Sequence, residues 1–283
     1  MNCVIGLTRK DAAWPSTLAD LGYEVQVIEQ SMRTSAGAQV KPDIIVTSNR
    51  LLHCVAFDCK GGKGIEQSQV KNYQGLTVTD LGRWVTVYDS SKLTHDVCYT
   101  TFHSNRDAIS AQVGGFPLLA FSQEAITKVG KFSQRPIENE FDAPIALEGL
   151  RPPVNYYPFS EIDEDAVIIP RILRMLVQLA LQTARGGESA LSDATFTSEE
   201  IVSCLHPYWK ALSLDQRSRL KERVSRIIHD LLKAERGFRE SLKELEDRKG
   251  VKVLATLQQL QREAERIAKE MEMQERIVSY FGQ

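Results

Sequence analysis

The sequence predicts an α/β protein: a mixed sheet flanked by helices in the first part of the chain, then an all-helical domain ending in a helical hairpin or coiled coil. Three observations carry this. Short apolar, β-branched runs at 23–28, 44–46, 51–57, 97–102 and 117–121 alternate with stretches of helical period. Residues 133–160 hold Pro136, Pro144, Pro152, Pro153 and Pro158, a loop-rich stretch that divides a first domain, 1–160, from a second, 161–283. Beyond it, Ile172, Leu173, Leu176, Val177, Ala180 and Leu181 form a broad apolar helix face that must be buried.

Taken in order, residues 3–7 are a short apolar start, and Trp14, Leu18 and Leu21 set out a helix that Gly22 stops. Residues 23–28 alternate like a strand. Ser31 to Lys41 reads as a flexible polar loop. The runs 44–46 and 51–57, with Ser48-Asn49-Arg50 between them, read as a hairpin. A helix carrying Gln69 and Tyr73 follows, then strand-like 84–88 and 97–102, a helix over about 106–113 and a strand at 117–121. Pro170 suits the first position of a helix. Thr197 with Glu200 is a capping-box pattern opening a helix that runs to His206-Pro207. From Leu214, the residues Leu220, Val224, Ile227, Leu231, Ala234 and Phe238 recur at four and three. Arg248-Lys249-Gly250 reads as a helix stop, and Val253, Leu257, Leu260, Ala264, Ile267, Met271, Val278 and Phe281 continue the spacing in a last helix. Two long helices joined by a short turn would pair as a hairpin, with a dimer or partner protein on the remaining apolar positions.

The chemistry concentrates between residues 42 and 73. Antiparallel pairing of the hairpin places Asp43 opposite Phe57 or Asp58, where facing Cβ atoms lie about 4.5–5.5 Å apart. Strand alternation points Asp58 and Lys60 to one face and Cys59 to the other. Two such carboxylates repel unless a cation sits between them, and Mg²⁺ commonly binds through one or two carboxylates plus a substrate phosphate. Both Asp58 and Lys60 are expected at a solvent-accessible strand end.

Pro42-Asp43 followed by Asp58-Cys59-Lys60 resembles the PD-(D/E)xK, restriction-endonuclease-like nuclease superfamily. Gln69 and Tyr73 are similar to the QxxxY motif of its RecB and λ-exonuclease branch, and their spacing puts both on one helix face. The resemblance implies a restriction-endonuclease-like core over about residues 10–122 with Asp43, Asp58, Lys60, Gln69 and Tyr73 as catalytic residues. It further implies Asp43, Asp58 and the Cys59 main-chain carbonyl as metal ligands, and Mg²⁺, replaceable by Mn²⁺, as cofactor. Lys60 would contact the scissile phosphate or the attacking water, with Gln69 and Tyr73 orienting it. Many members add an acidic residue from the first helix; Asp11 and Asp20, or Glu24 and Glu29, are candidates without a motif.

A net charge of −2 excludes a global basic field for nucleic acid, so any groove must be local. The dense basic cluster is Arg217, Arg219, Lys221, Arg223 and Arg226. It meets nucleic acid or an acidic partner, or it is a solvated face. Arg219, Arg223 and Arg226, with Lys63 and Lys71 near the carboxylates, are the candidate DNA contacts, while Arg33 and Lys41 lie in the loop before them. Gly61-Gly62-Lys63-Gly64 lacks the phosphate-loop pattern. His95 and His103 have no partner at readable spacing and read as structural or exposed. The five cysteines are scattered, which excludes a zinc site or disulfide framework and fits a cytoplasmic location. No apolar run approaches the roughly 18 residues of a membrane span, and no ATPase motif is present.

The expected function is therefore metal-dependent hydrolysis of DNA phosphodiesters, in antiviral and anti-plasmid defence or in DNA repair. Two alternatives stand beside it: a catalytically silent nuclease-fold interaction subunit, and a DNA-binding regulator whose helices around Thr197 to Lys233 form a helix-turn-helix or winged module. Against the last, no strand pair for a wing is legible after residue 233.

Overall fold

In the computed structural model, which describes residues 1–10, 13–153, 155–185, 191 and 194–281, the chain gathers into two compact units. One is Met1–Tyr156 with Lys210–Ser213, the other Tyr157–Trp209 with Leu214–Gln283. The strands of the first are β1 (Tyr23–Ile28), β2 (Met32–Arg33), β3 (Gln39–Val40), β4 (Ile44–Ser48), β5 (His53–Lys60), β6 (Thr94–Phe102), β7 (Leu118–Phe121), β8 (Ala125–Val129) and β9 (Ile145–Ala146). Its helices are α1 (Asn2–Leu7), α2 (Thr17–Asp20), α3 (Gln67–Gln74), α4 (Val78–Leu81), α5 (Arg106–Ser110) and α6 (Arg135–Glu140).

The framework is a seven-stranded mixed sheet in the order β1-β4-β5-β6-β7-β8-β9. Strand β4 runs antiparallel to β1 and β5, whereas β5, β6 and β7 are parallel. Central strands covered on both faces need apolar residues at every position rather than at alternate ones. That is why Ile44-Ile45-Val46 and Cys54-Val55-Ala56-Phe57 are unbroken runs, all fully buried. On one face Ile45, Cys54, Ala56, Val97, Tyr99 and Leu118 pack with Val70 and Tyr73 of α3.

Several expectations need correction. The helix through Trp14 and Leu21 is reduced to the single turn α2, because Pro15 follows Trp14 and drives it out of helical geometry. The apolar start is itself helical, and Trp14 Nε1 donates to the Cys3 carbonyl at 3.1 Å. Residues 31–41 are not a loose loop. They contain the β2–β3 hairpin, pinned where Ser35 donates through its N–H and hydroxyl to buried Asp80 at 2.8 and 2.5 Å. The stretch 84–88 is no strand: side chains of Gln26 and Asn49 bond its backbone at Thr86 and Tyr88 in place of a ladder.

The second unit opens with α7 (Asp165–Ala184), which starts five residues before Pro170, so the proline lies inside it. The Thr197–Glu200 capping box forms as the pattern requires and opens the helix Ser198–Leu205. This unit is not all-helical. Strands β10 (Thr195–Thr197), β11 (Leu242–Glu244) and β12 (Gly250–Val253) form an antiparallel sheet in the order β10-β12-β11. The expected helical hairpin is replaced as well. Helix Leu214–Ala234 gives way to a short helix Arg236–Ser241 and then to the β11–β12 hairpin. The final helix Leu257–Phe281 packs mainly on α7. Leu260, Ala264 and Ile267 are buried, so the heptad-like spacing describes burial within this unit rather than a two-helix seam.

Arg248-Lys249-Gly250 follows only a single 3-10 turn, Glu246–Arg248, rather than a long helix, and Gly250 opens β12. A Cβ there would lie 2.1 Å from the Phe196 carbonyl oxygen and 2.6 Å from Thr197 Cα. Gly250→Ala should therefore destabilise the protein by about 2–3 kcal/mol, the scale of overpacking. Gly61→Ala and Gly62→Ala, with nothing within 4 Å, should leave the denaturant midpoint unchanged.

Candidate active site

The β4–β5 register builds the site. Ile44 faces Phe57, and the Asp43 N–H donates to the Phe57 carbonyl at 2.9 Å, so Asp43 lies opposite Asp58. Asp43 Oδ2 accepts from the Cys59 N–H at 2.6 Å. Two residues after Asp58 on the same face, Lys60 Nζ sits 2.6 Å from Asp58 Oδ1. Helix α3 closes the triangle. Gln69 Nε2 donates to Asp58 Oδ2 at 2.7 Å, and Gln69 Oε1 accepts from Lys60 Nζ at 2.9 Å. Tyr73, one turn further, is buried with its hydroxyl against Asp58. That contact is electrostatic, since the hydroxyl makes no hydrogen bond of normal geometry.

The structure thus brings Asp43, Asp58, Lys60, Gln69 and Tyr73 to one place. It corrects their setting. Asp58 is only 2% exposed, not an open strand end, because β6 and α3 cover it. A cleft of about 170 Å³ beside Cys59, Lys60 and Thr101 is lined by neither carboxylate. Burial pushes Asp43 up to about 6, with Asp58 and Glu29 adding to the shift against the Cys59 N–H. Burial also raises Asp58, opposed by Lys60.

One residue escaped the sequence reading. Tyr99 of β6 lies beside Asp58 in the parallel register, its ring stands edge-on to Tyr73 at 6.1 Å between centroids, and its buried hydroxyl also lacks a partner. Burial and the Asp58 charge both raise its pKa. The available signal was the alternation of 97–102, which puts Tyr99 on one sheet face with Val97 and Thr101.

Of the further acidic candidates, Glu29 stands beside Asp43. Its N–H donates to the Asp43 carbonyl at 2.9 Å and its carboxylate pairs with Lys41 at 3.1 Å. Asp20 and Glu24 are exposed, and Asp11 is outside the described residues. Lys63 and Lys71 are exposed on the loop after β5 and on α3, and Arg33 Nε donates to the Gly37 carbonyl. His103 is exposed and His95 half-buried.

The basic helix is divided by its partners. Arg219 pairs with Asp215 and with Glu161 at 3.2 Å, and Arg223 pairs with Asp165 and donates to the Asp163 carbonyl at 3.1 Å. Both of these expected DNA contacts are thus paired with carboxylates of their own unit, and Arg226 is exposed.

Three of the four oxygens of the facing pair are engaged within the protein, Asp58 Oδ1 by Lys60, Asp58 Oδ2 by Gln69 and Asp43 Oδ2 by the Cys59 N–H. The two facing carboxylates are both raised by burial, and two tyrosine hydroxyls beside Asp58 are buried without partners. Among the described residues no cluster of three or more His, Cys, Asp or Glu side chains gathers as a metal cage.

Residues 1–157 match the MJECL32 domain and residues 160–277 match a domain of unknown function, DUF8601. The first match spans more than half of the 283 residues, so the chain belongs to the MJECL32 domain family. Neither the curated proteins nor the solved structures contain a match.

The Asp43 shift has a stability consequence. Because its folded pKa of about 6 exceeds the unfolded value, its contribution favours folding at low pH and is lost as pH rises from about 4 through 6. Allowing for partial exposure, this is on the order of 1–2 kcal/mol. Denaturation in EDTA at pH 4.5 and pH 7.5 should show this loss for the wild type, and Asp43→Asn should reduce it by that amount.

Proposed function

We propose that the Asp43–Asp58 centre is a divalent-cation-dependent phosphodiesterase of the PD-(D/E)xK type, acting on DNA. The observation that carries this reading is the closed triangle of Asp58, Lys60 and Gln69 facing Asp43, since a structural salt bridge needs neither the second carboxylate nor the glutamine that fixes both partners. Asp43, Asp58 and the Cys59 carbonyl would hold Mg²⁺ or Mn²⁺. Such an ion supplies charge neutralisation at the phosphate and acidification of a water. The chain's own residues do the positioning. Gln69 fixes Lys60 Nζ, whose charge stabilises the phosphate as negative charge develops there, without reorganisation at the moment of reaction. The unpartnered Tyr73 and Tyr99 hydroxyls are donors for a phosphate oxygen or a water. Defence against foreign DNA, or repair, is the setting that this resemblance suggests.

A silent interaction subunit is the second reading, favoured by the burial of Asp58 with both oxygens already bonded. Incubating the protein with linear, circular and single-stranded DNA in Mg²⁺, Mn²⁺ or EDTA separates the two. Asp58→Ala and Lys60→Ala should each lower cleavage at least about a hundredfold, the scale of removing one transition-state stabiliser. Gln69→Ala should be a milder defect. Activity in both variants equal to wild type, or none in wild type with either metal, sinks the proposal.

The tyrosines give a sharper test. An unpaired buried hydroxyl costs about 1–3 kcal/mol, so Tyr99→Phe should leave the melting temperature equal or higher and Tyr73→Phe, which loses only its contact with Asp58, should leave it nearly unchanged, while cleavage falls roughly tenfold in each, about the worth of one hydrogen bond. A loss of stability in parallel with activity would assign both to the core alone.

A further inference from the structure

We propose that residues 195–253 form a winged helix-turn-helix and that the groove beside its second helix binds duplex DNA through a backbone phosphate. The topology is the first support. Strand β10, helices Ser198–Leu205 and Leu214–Ala234, the short helix Arg236–Ser241, and strands β11 and β12 follow in that order, and the sheet sets β10 against β12. A helix pair followed by a hairpin is the arrangement that lays its second helix in the major groove, with the hairpin as wing against the backbone. The strand pair whose apparent absence from the sequence told against a winged module is present at residues 242–253.

The chemistry of the groove is the second support. A cavity of about 410 Å³ lies between the start of helix Ser198–Leu205, the middle of helix Leu214–Ala234 and the turn before β12. A helix N-terminus offers N–H groups and partial positive charge to an anion. Here the capping box occupies the Thr197 and Glu200 N–H groups, and Ser198 donates its N–H to the Lys249 carbonyl at 2.9 Å. By helix geometry the Glu199 N–H is left over. The Ser198 side chain is 3% exposed, lines the cavity, and its hydroxyl has no partner. A phosphate oxygen would satisfy both donors.

Lys221 from the second helix and Lys249 from the turn bring positive charge to opposite walls. Three carboxylates also line the groove: Glu199, Glu222 and Asp247, the last already paired with Lys249 at 3.0 Å. Their presence argues against a non-specific basic channel. It suits a single phosphate at the helix N-terminus with Glu222 reaching base edges, where a carboxylate accepts from the cytosine amino group. Arg219 and Arg223 face the carboxylates of their own unit and belong to its stability.

This proposal does not rest on the reading of Asp43 and Asp58, and the two fail separately: binding is read with all metal chelated, cleavage with Mg²⁺ present. The test is fluorescence anisotropy of a labelled duplex with the full chain in EDTA, at several salt concentrations. Single strands of the same sequence and inorganic phosphate serve as competitors. The wild type should bind duplex more tightly than single strands and resist millimolar phosphate. Lys221→Glu with Lys249→Glu should weaken binding at least about tenfold and lower the log–log salt slope by about one, the value of one phosphate contact. Ser198→Ala should weaken it by a few fold with an unchanged melting curve. Arg219→Ala with Arg223→Ala should lower the melting temperature and leave duplex affinity within about twofold. Should charge reversal unfold the protein, Lys221→Gln with Lys249→Gln decides the question. Equal affinity for single strands, complete displacement by phosphate, or an unchanged duplex affinity in a folded lysine variant overturns the proposal.

Discussion

A carboxylate at Asp58 has been placed where water hardly reaches it, and the arrangement of the first unit follows from that constraint. An unpaired buried charge costs several kcal/mol, so each oxygen needs a partner fixed in place. Lys60 reaches Oδ1 because the strand returns its side chains to the same face every second residue. Gln69 reaches Oδ2 and at the same time holds Lys60, which requires α3 to dock over the C-terminal end of β5. That docking carries Val70 and Tyr73 into the sheet's core, so the polar triangle and the apolar packing are one arrangement. Losing any member leaves the others uncompensated.

How much of this was legible depends on the range of the interaction. The facing of Asp43 and Asp58 is arithmetic within one short hairpin, and the joint placement of Gln69 and Tyr73 is arithmetic within one helix; both could be read from spacing. The burial of Asp58 could not, because it arises from a parallel neighbour, β6, that begins more than 30 residues later and whose register nothing local specifies. Tyr99 escaped for the same reason. Local chemistry also misled where it competed with pattern. Residues 84–88 are rich in β-branched and aromatic side chains, yet the amides of Gln26 and Asn49 take the backbone bonds a ladder would need. In the segment of Trp14 and Leu21, Pro15 outweighs an apolar periodicity.

In the second unit the difficulty lies with periodicity itself. A spacing of three and four marks the buried stripe of a helix but not its partner. The stripes of helices Leu214–Ala234 and Leu257–Phe281 looked complementary, yet the latter packs mainly against α7. The strands that separate them are only three and four residues long, too short for alternation to register against their helical neighbours. The one local sign was glycine. Gly250 follows a single 3-10 turn and is also the position where β12 crosses so close to Phe196 and Thr197 that a methyl group cannot fit.

Charge constrains both proposed roles. With a net charge of −2, attraction to an anionic polymer cannot come from a diffuse field and must come from local groups. Much of the conspicuous positive charge is already engaged: Lys60 by Asp58, Arg219 by Glu161 and Asp215, Arg223 by Asp165. A cluster that looks basic in sequence is thus partly a set of internal ties, and counting arginines overstates its pull on a phosphate. What distinguishes a binding group is a setting that remains incomplete without a ligand. By that criterion the Ser198, Tyr73 and Tyr99 hydroxyls, each buried without a hydrogen-bond partner, are more informative than a count of arginines. One stands at a helix N-terminus and two stand beside a raised carboxylate pair, and an oxygen-bearing anion or a hydrated cation is the kind of ligand that answers both.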